Sequence, residues 1–242
     1  VIAFCLGGAA ALWQLSPWRS QTGVGNALFW VATAAFAALL VGWLVRGLLS
    51  LSNDFRIVEG FDLLKGSYLD RIVDIGRAVM GDGHADVDTL RLRLGRYSQG
   101  VKVLVRRPQR LHVREAVVGY LASWTISASA SARYLSGEYR SGLDLQEEDI
   151  VSVEPEAVYV TMVYGSDITS RYEILKITLE HLMNLFGRVD MNGPKHLLAR
   201  PATPEGERIM RKIGMKPLKL DGSDLWIVGR EQLLMALESS RR

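Results

Sequence analysis

The hydrophobic pattern changes character near residue 50. Residues 1–15, "VIAFCLGGAAALWQL", and residues 27–51, "ALFWVATAAFAALLVGWLVRGLLSL", are apolar with no polar face. A helix apolar all round is buried in a core or in lipid. The second run is long enough for a bilayer core, which needs about 20 apolar residues. The first is shorter, and the chain opens on Val1 rather than Met, so the first helix is expected to be cut. "SPWRSQTGVGN" between them, with Pro17, Gly23 and Gly25, predicts a tight exposed turn joining two antiparallel helices.

From residue 54 on, the pattern alternates between helical and strand periods. Phe61, Leu64, Tyr68, Ile72, Ile75 and Val79 recur at helical spacing and predict one amphipathic helix over residues 54–80. A second helix is expected over 87–97. "GVKVLVRR" and "LHVREAVVGYLASWTIS" read as strands rich in valine, and "EAVYVTMVY" as the clearest strand of all. "SARYLSGEY" and "LDLQEEDI" read as short helices or turns. "SDITSRYEILKITLEHLMNLF" reads as the clearest helix, capped by Ser166 or Asp167 with a stripe of Ile174, Ile177, Leu182 and Leu185. "KHLLARPAT" predicts a strand, "PEGERIMRKI" a helix with Pro204 in its first turn, and "DLWIVGR" a final strand. This order predicts an α+β domain with a mostly antiparallel sheet and helices on its faces.

Charge sharpens the division. Between residues 1 and 45 the ionisable side chains are Cys5 and Arg19; from Arg46 on, charges are dense. The turn between the apolar runs carries Arg19 alone, while Arg46, Arg56, Lys65, Arg71 and Arg77 follow the second run. The positive-inside rule then puts the turn outside and the large domain in the cytoplasm. The expected organisation is a transmembrane hairpin over residues 1–52 and a cytoplasmic domain over 53–242, in an inner or plasma membrane. Trp13, Trp18, Trp30 and Trp43 fall near the run ends, where aromatic rings favour headgroups, and Arg46 can snorkel. Small residues such as Gly7, Gly8, Ala34 and Ala35 allow close helix approach, so lipid and further copies of the hairpin are expected partners. The runs hold no intramembrane charge that would mark a pore.

Over the whole chain the net charge is +3, mixed in sign. The basic cluster Arg106, Arg107 and Arg110 has no interleaved aromatic surface, so no nucleic acid is expected as a partner. One cysteine supports neither a disulfide framework nor a thiolate metal site. Asp82, His84, Asp86 and Asp88 alternate as in a calcium loop, but Val87 and Arg93 stand where that loop needs Gly and Glu. His84, His112, His181 and His196 lack ligand spacing, and no metal is expected.

"VVGYLASWTIS", "YLSGEYRSGLDLQEEDIVSV", "YVTMVY" and "ARPATPEGERIMRKIGMKPL", in this order, resemble successive parts of the GNAT superfamily of acyl-CoA-dependent N-acyltransferases. The resemblance covers residues 54–242. It implies a GNAT-like fold, acetyl-CoA or another acyl-CoA as cofactor, and transfer of the acyl group to an amine. It places the cofactor at Val163, Tyr164 and Gly165 on the splayed end of the central strand, and at Ser170, Arg171 and Tyr172 at the following helix start. The glycines of the family's phosphate loop are absent after Gly165, Asp167 adds negative charge there, and Met210 stands where the family often has a tyrosine acid. Tyr164 or Tyr120 could serve as acid and Glu115 or Asp149 as base, so no catalytic residue is fixed. Two functions stay open: a membrane-anchored N-acyltransferase, or a catalytically degenerate sensor or interaction module that signals to, or assembles through, its hairpin.

Overall fold

The structure is a computed structural model that describes residues 55–107, 115–187, 193–219 and 224–239. The hairpin expected over residues 1–52 lies outside them, as do Arg110 and His112. Among the described residues no helix is long and apolar enough to cross a membrane.

Among the described residues seven strands form one sheet: β1 (Phe55–Glu59), β2 (Val101–Arg106), β3 (Ala116–Ile126), β4 (Ala157–Gly165), β5 (His196–Ala199), β6 (Lys216–Pro217) and β7 (Trp226–Gly229). Their order is β1-β2-β3-β4-β5-β7-β6, and every neighbouring pair is antiparallel except β4 with β5. The helices are α1 (Tyr68–Met80), α2 (Val87–Arg96), α3 (Ala128–Ser136), α4 (Ile168–Phe186), α5 (Pro204–Lys212) and α6 (Arg230–Ser239). This is the expected α+β class, a mixed and mostly antiparallel sheet flanked by helices.

The central strands explain their own sequence. In β3 every residue from Val118 to Ile126 is buried, so the strand reads as one apolar run rather than an alternation. Gly119 is required there: a Cβ would stand 2.8 Å from the Tyr164 carbonyl oxygen on β4. The two faces bury different partners. Tyr120, Trp124, Tyr134 and Tyr159 join Leu69, Ile72, Leu90 and Leu94 in the larger core. Leu104, Val118 and Leu121 meet Ile174 and Ile177 of α4 in the second. Four helix starts are capped by a side chain that the local sequence offers: Asp86, Ser127, Asp167 and Thr203, the last followed by Pro204.

Two expectations need correction, and one strand is added to the list. Residues 54–80 are not one helix. Gly60 and Gly66 have φ of +62° and +103°, which ends β1 and separates a short 3-10 turn from α1. "FRIVE" instead pairs along β2 as an edge strand, and Phe61 and Leu64, placed on a helix stripe, are exposed while Leu63 is buried. The final strand is followed by α6, whose Leu233 and Leu237 enter the core. A brief strand, β6, closes the sheet beside β7.

Candidate ligand site

The site grows out of an irregularity in β4. Its register with β3 shifts so that Ala122 faces Met162 while Ser123 faces Val160, leaving Thr161 as the extra residue. Thr161 Oγ1 donates to the Ala122 carbonyl at 3.1 Å and ties the bulge down. The shift keeps Tyr159, Met162 and Tyr164 on the face of Trp124, Ala122 and Tyr120, their register partners. On its other side β4 pairs with β5 only from Ala157 to Val160. Beyond Val160 it runs on to Gly165 against β3 alone. β4 therefore outruns β5, a one-sided splay, and among the described residues the β5-side backbone of residues 161–165 has no strand partner.

Sequence reasoning placed Val163, Tyr164, Gly165, Ser170, Arg171 and Tyr172 at this point, and the structure brings all six to the top of β4 and the first turns of α4. Their chemistry differs from an anion cradle. Only Ser166 and Asp167 separate β4 from α4. Asp167 caps the helix: its Oδ1 accepts from the Ser170 amide at 2.9 Å, and the Asp167 amide donates to Ser170 Oγ at 2.9 Å. That reciprocal box satisfies two donors at the helix start, the Ser170 and Asp167 amides. Arg171 N donates to the Asp167 carbonyl at 2.9 Å. Ile168 and Thr169 carry the two first-turn amides to which no acceptor is assigned among the described residues.

The Asp167 carboxylate is firmly charged. The Ser170 amide, then Arg106, hold its pKa near about 2. Arg106 Nη2 donates to Asp167 Oδ2 at 2.8 Å. The positive end of the α4 dipole thus already faces a protein anion. Arg171 folds back: its Nε donates to the Gly165 carbonyl at 3.1 Å, and a Cβ on Gly165 would lie 2.6 Å from the Arg171 amide nitrogen. Tyr172 is exposed and Val163 partly so.

The candidate acids and bases are mostly committed elsewhere. Glu115 accepts from Arg56 Nη2 at 2.9 Å and from the Tyr68 hydroxyl at 3.0 Å. Asp149 is buried and accepts from the Tyr139 hydroxyl at 2.8 Å and the Gln146 amide at 3.0 Å. Tyr120 is fully buried, and burial raises its pKa, so it stays protonated. Tyr164 is half-buried beside it, ring centroids 6.1 Å apart. Met210 packs partly against the core.

Two features of the site escaped sequence reasoning. His84, weighed as a metal ligand, instead sits against Tyr120. Its Nδ1 lies 2.7 Å from the Ala85 carbonyl, which can only accept, so Nδ1 carries the proton and Nε2 accepts from the Tyr120 hydroxyl at 3.3 Å. Gly76 makes room for the ring: a Cβ there would lie 2.0 Å from it. Among the described residues no group of His, Cys, Asp and Glu is placed to hold a metal. The second feature is the Arg106–Asp167 pair, which joins residues 61 positions apart. Only the basic pair in "VRRP" and the lone acid in "GSDITS" hinted at it. A groove of about 610 Å³ lies at the opposite end of the sheet, lined in part by Phe61, Tyr97, Thr125, Val153 and Leu185, and contains none of the six residues.

No protein-family model matches the chain, and no curated protein matches its sequence. Among solved structures it is similar to the loading GNATL domain of CurA from Lyngbya majuscula, with 11% identity over 74% of this chain and 99% of that one, TM-score 0.47. It is similar to the GphF GNAT-like decarboxylase in complex with isobutyryl-CoA, with 14% identity over 72% and 99%, TM-score 0.45. It is also similar to AtaTR bound with acetyl-CoA, with 12% identity over 76% and 98%, TM-score 0.41. At these identities and scores the site residues rest on their own geometry.

Proposed function

We propose that this chain is a membrane-anchored, GNAT-like sensor or interaction module in which acyl-CoA-dependent transfer to an amine has been lost. In this reading residues 1–52 form the transmembrane hairpin, residues 53–242 lie on the cytoplasmic side, and the hairpin's small-residue faces assemble with copies of themselves. One observation carries the loss of acyl-CoA chemistry. The N-terminus of α4, where a pyrophosphate would need free amides, is closed by the Asp167–Ser170 box and the Arg106–Asp167 pair. A diphosphate brought there would meet a carboxylate that stays ionised at neutral pH. It would find two amides rather than a glycine-lined cradle. The committed states of Glu115 and Asp149 point the same way.

A second reading keeps acyl transfer, and the splay favours it. The free edge of residues 161–165 offers backbone donors and acceptors to an extended acyl-pantetheine arm, with Tyr164 at its mouth as the acid. Val163, Tyr164 and Gly165 would hold the arm, and Ser170, Arg171 and Tyr172 the phosphates.

Calorimetric titration of acetyl-CoA into the full chain separates the two. The module reading expects no saturable heat from the natural sequence. It expects Asp167→Asn, which keeps the cap but removes the charge, to bind better than the natural chain. Saturable binding by the natural chain, weakened by Arg171→Glu, would overturn it in favour of the transferase.

A further inference from the structure

The end of the sheet that carries the splay is also the end at which the chain enters the domain. Phe55, Arg106 and Ala116 stand at one level as successive register partners. The Phe55 ring lies under the Arg106 guanidinium at 5.2 Å, and Arg106 reaches Asp167, the cap of α4. The first residue of β1 is therefore two contacts from the start of α4. Only Ser52, Asn53 and Asp54 separate Phe55 from the end of the second apolar run.

The surface at this end is neither an ordinary polar cap nor a paired one. Ile168 is 86% exposed and Tyr172 69% exposed, one helical turn apart on α4. Val163, 41% exposed, lies two residues before the end of β4. Arg171, next to Tyr172, and Arg107, next to Arg106, are exposed and have no carboxylate partner among the described ion pairs, although Arg171 Nε donates to the Gly165 carbonyl; Arg56 and Arg106 are held by Glu115 and Asp167. Exposed apolar side chains with an aromatic amphiphile among them, flanked by guanidinium groups, match what a headgroup zone of negative charge accepts.

We infer that the start of α4, through Ile168, Tyr172 and Val163 with Arg107 and Arg171, docks on an anionic bilayer surface. The mouth of the splay then opens toward the membrane rather than toward bulk water. This inference takes its lipid from the anchored reading above: the short link from the apolar run is what selects a bilayer over a protein partner.

The test uses the full chain in a Cys5→Ser background, reconstituted into vesicles of phosphatidylcholine with or without phosphatidylserine. An environment-sensitive fluorophore is attached at I168C, at Y172C, or at V153C, whose native valine is 75% exposed in the groove at the other end of the sheet. In anionic vesicles the first two labels should be shielded from aqueous iodide and quenched by brominated lipid, while the third shows the reverse. Adding R107E and R171E should raise iodide access at I168C several-fold. Equal iodide access at all three positions in anionic vesicles overturns the inference. An alkaline wash of the same vesicles reads the hairpin separately: a chain that washes off yet keeps I168C shielded before the wash sinks the anchor and leaves the docking surface standing.

Discussion

The two halves of β4 differ more than their sequence does. Ala157–Val160 has a strand on each side, and Ala157, Val158 and Tyr159 are buried. Among the described residues Met162–Gly165 has a strand on one side only, and Val163 is 41% exposed. "AVYV" and "MVYG" are equally apolar. The bulge at Thr161 and the end of β5 at Ala199 separate a half that holds the fold together from a half that presents backbone and side chains. A strand can serve stability and binding at once when its neighbour stops short of its end.

That contrast can be broken or sharpened by substitution. The largest effect is expected in the lower half. Tyr159 is 2% exposed and stacks on Tyr134 with ring centroids 4.5 Å apart. Tyr159→Ala should cost about 3–5 kcal/mol in urea unfolding. An effect under about 1 kcal/mol would mean the lower half is not the core it looks to be.

At the level of the bulge, Ser123 pairs with Val160 and its hydroxyl lies 3.1 Å from His181 Nε2. Burial pushes the His181 pKa down from 6.5 to about 4. The folded state favours the neutral ring, so the unfolded chain binds more protons between those values. Stability should be full above pH 6.5, fall as pH drops toward about 4, and flatten below. The loss is at most about 3 kcal/mol. His84, its pKa also lowered by burial, adds loss of the same sign. Thermal melts across this range should show the decline, and His181→Gln should reduce it.

In the upper half the sensitive position is the backbone rather than a large side chain. Gly165→Ala would set a Cβ 2.6 Å from the Arg171 amide nitrogen and 2.7 Å from its Cα. About 1–3 kcal/mol of destabilisation is expected from a chemical-denaturation midpoint. Asp167→Ala removes the cap and should cost about 1 kcal/mol, with Asp167→Asn closer to neutral. Val163→Ala should change stability by no more than about 0.5 kcal/mol. A large loss at Val163 would show that the free half is buried against something in solution, which hydrogen exchange over residues 160–166 would also reveal.

Much of this was legible from local pattern. Strands β2, β3, β4, β5 and β7, helices α2, α4 and α5, and the Asp167 and Pro204 signals follow from periodicity, caps and valine content. The strand–helix junction that carries Val163, Tyr164, Gly165, Ser170, Arg171 and Tyr172 was legible because a valine-rich strand and a capped helix adjoin there in the sequence. The helix expected over 54–80 failed because Phe61, Leu64 and Tyr68 mimic a helical stripe, while two glycines at positive φ decide the backbone. α6 was overlooked although "LLMAL" is apolar, because the run is short and follows directly on the last strand with no loop between them.

The sequence by itself determined the change from apolar runs nearly free of charge to a mixed-charge domain, the α+β order, and the strand–helix junction at Gly165–Ile168. Those properties are written in neighbouring residues, because hydrophobic period and capping act over a few positions. The tertiary structure alone decided that β5 stops at Ala199, that Arg106 crosses to Asp167, and that His84 Nε2 accepts a hydrogen bond from the Tyr120 hydroxyl. Each is a contact between distant residues, set by strand register and by the space left at Gly76 and Gly165, which no local pattern encodes.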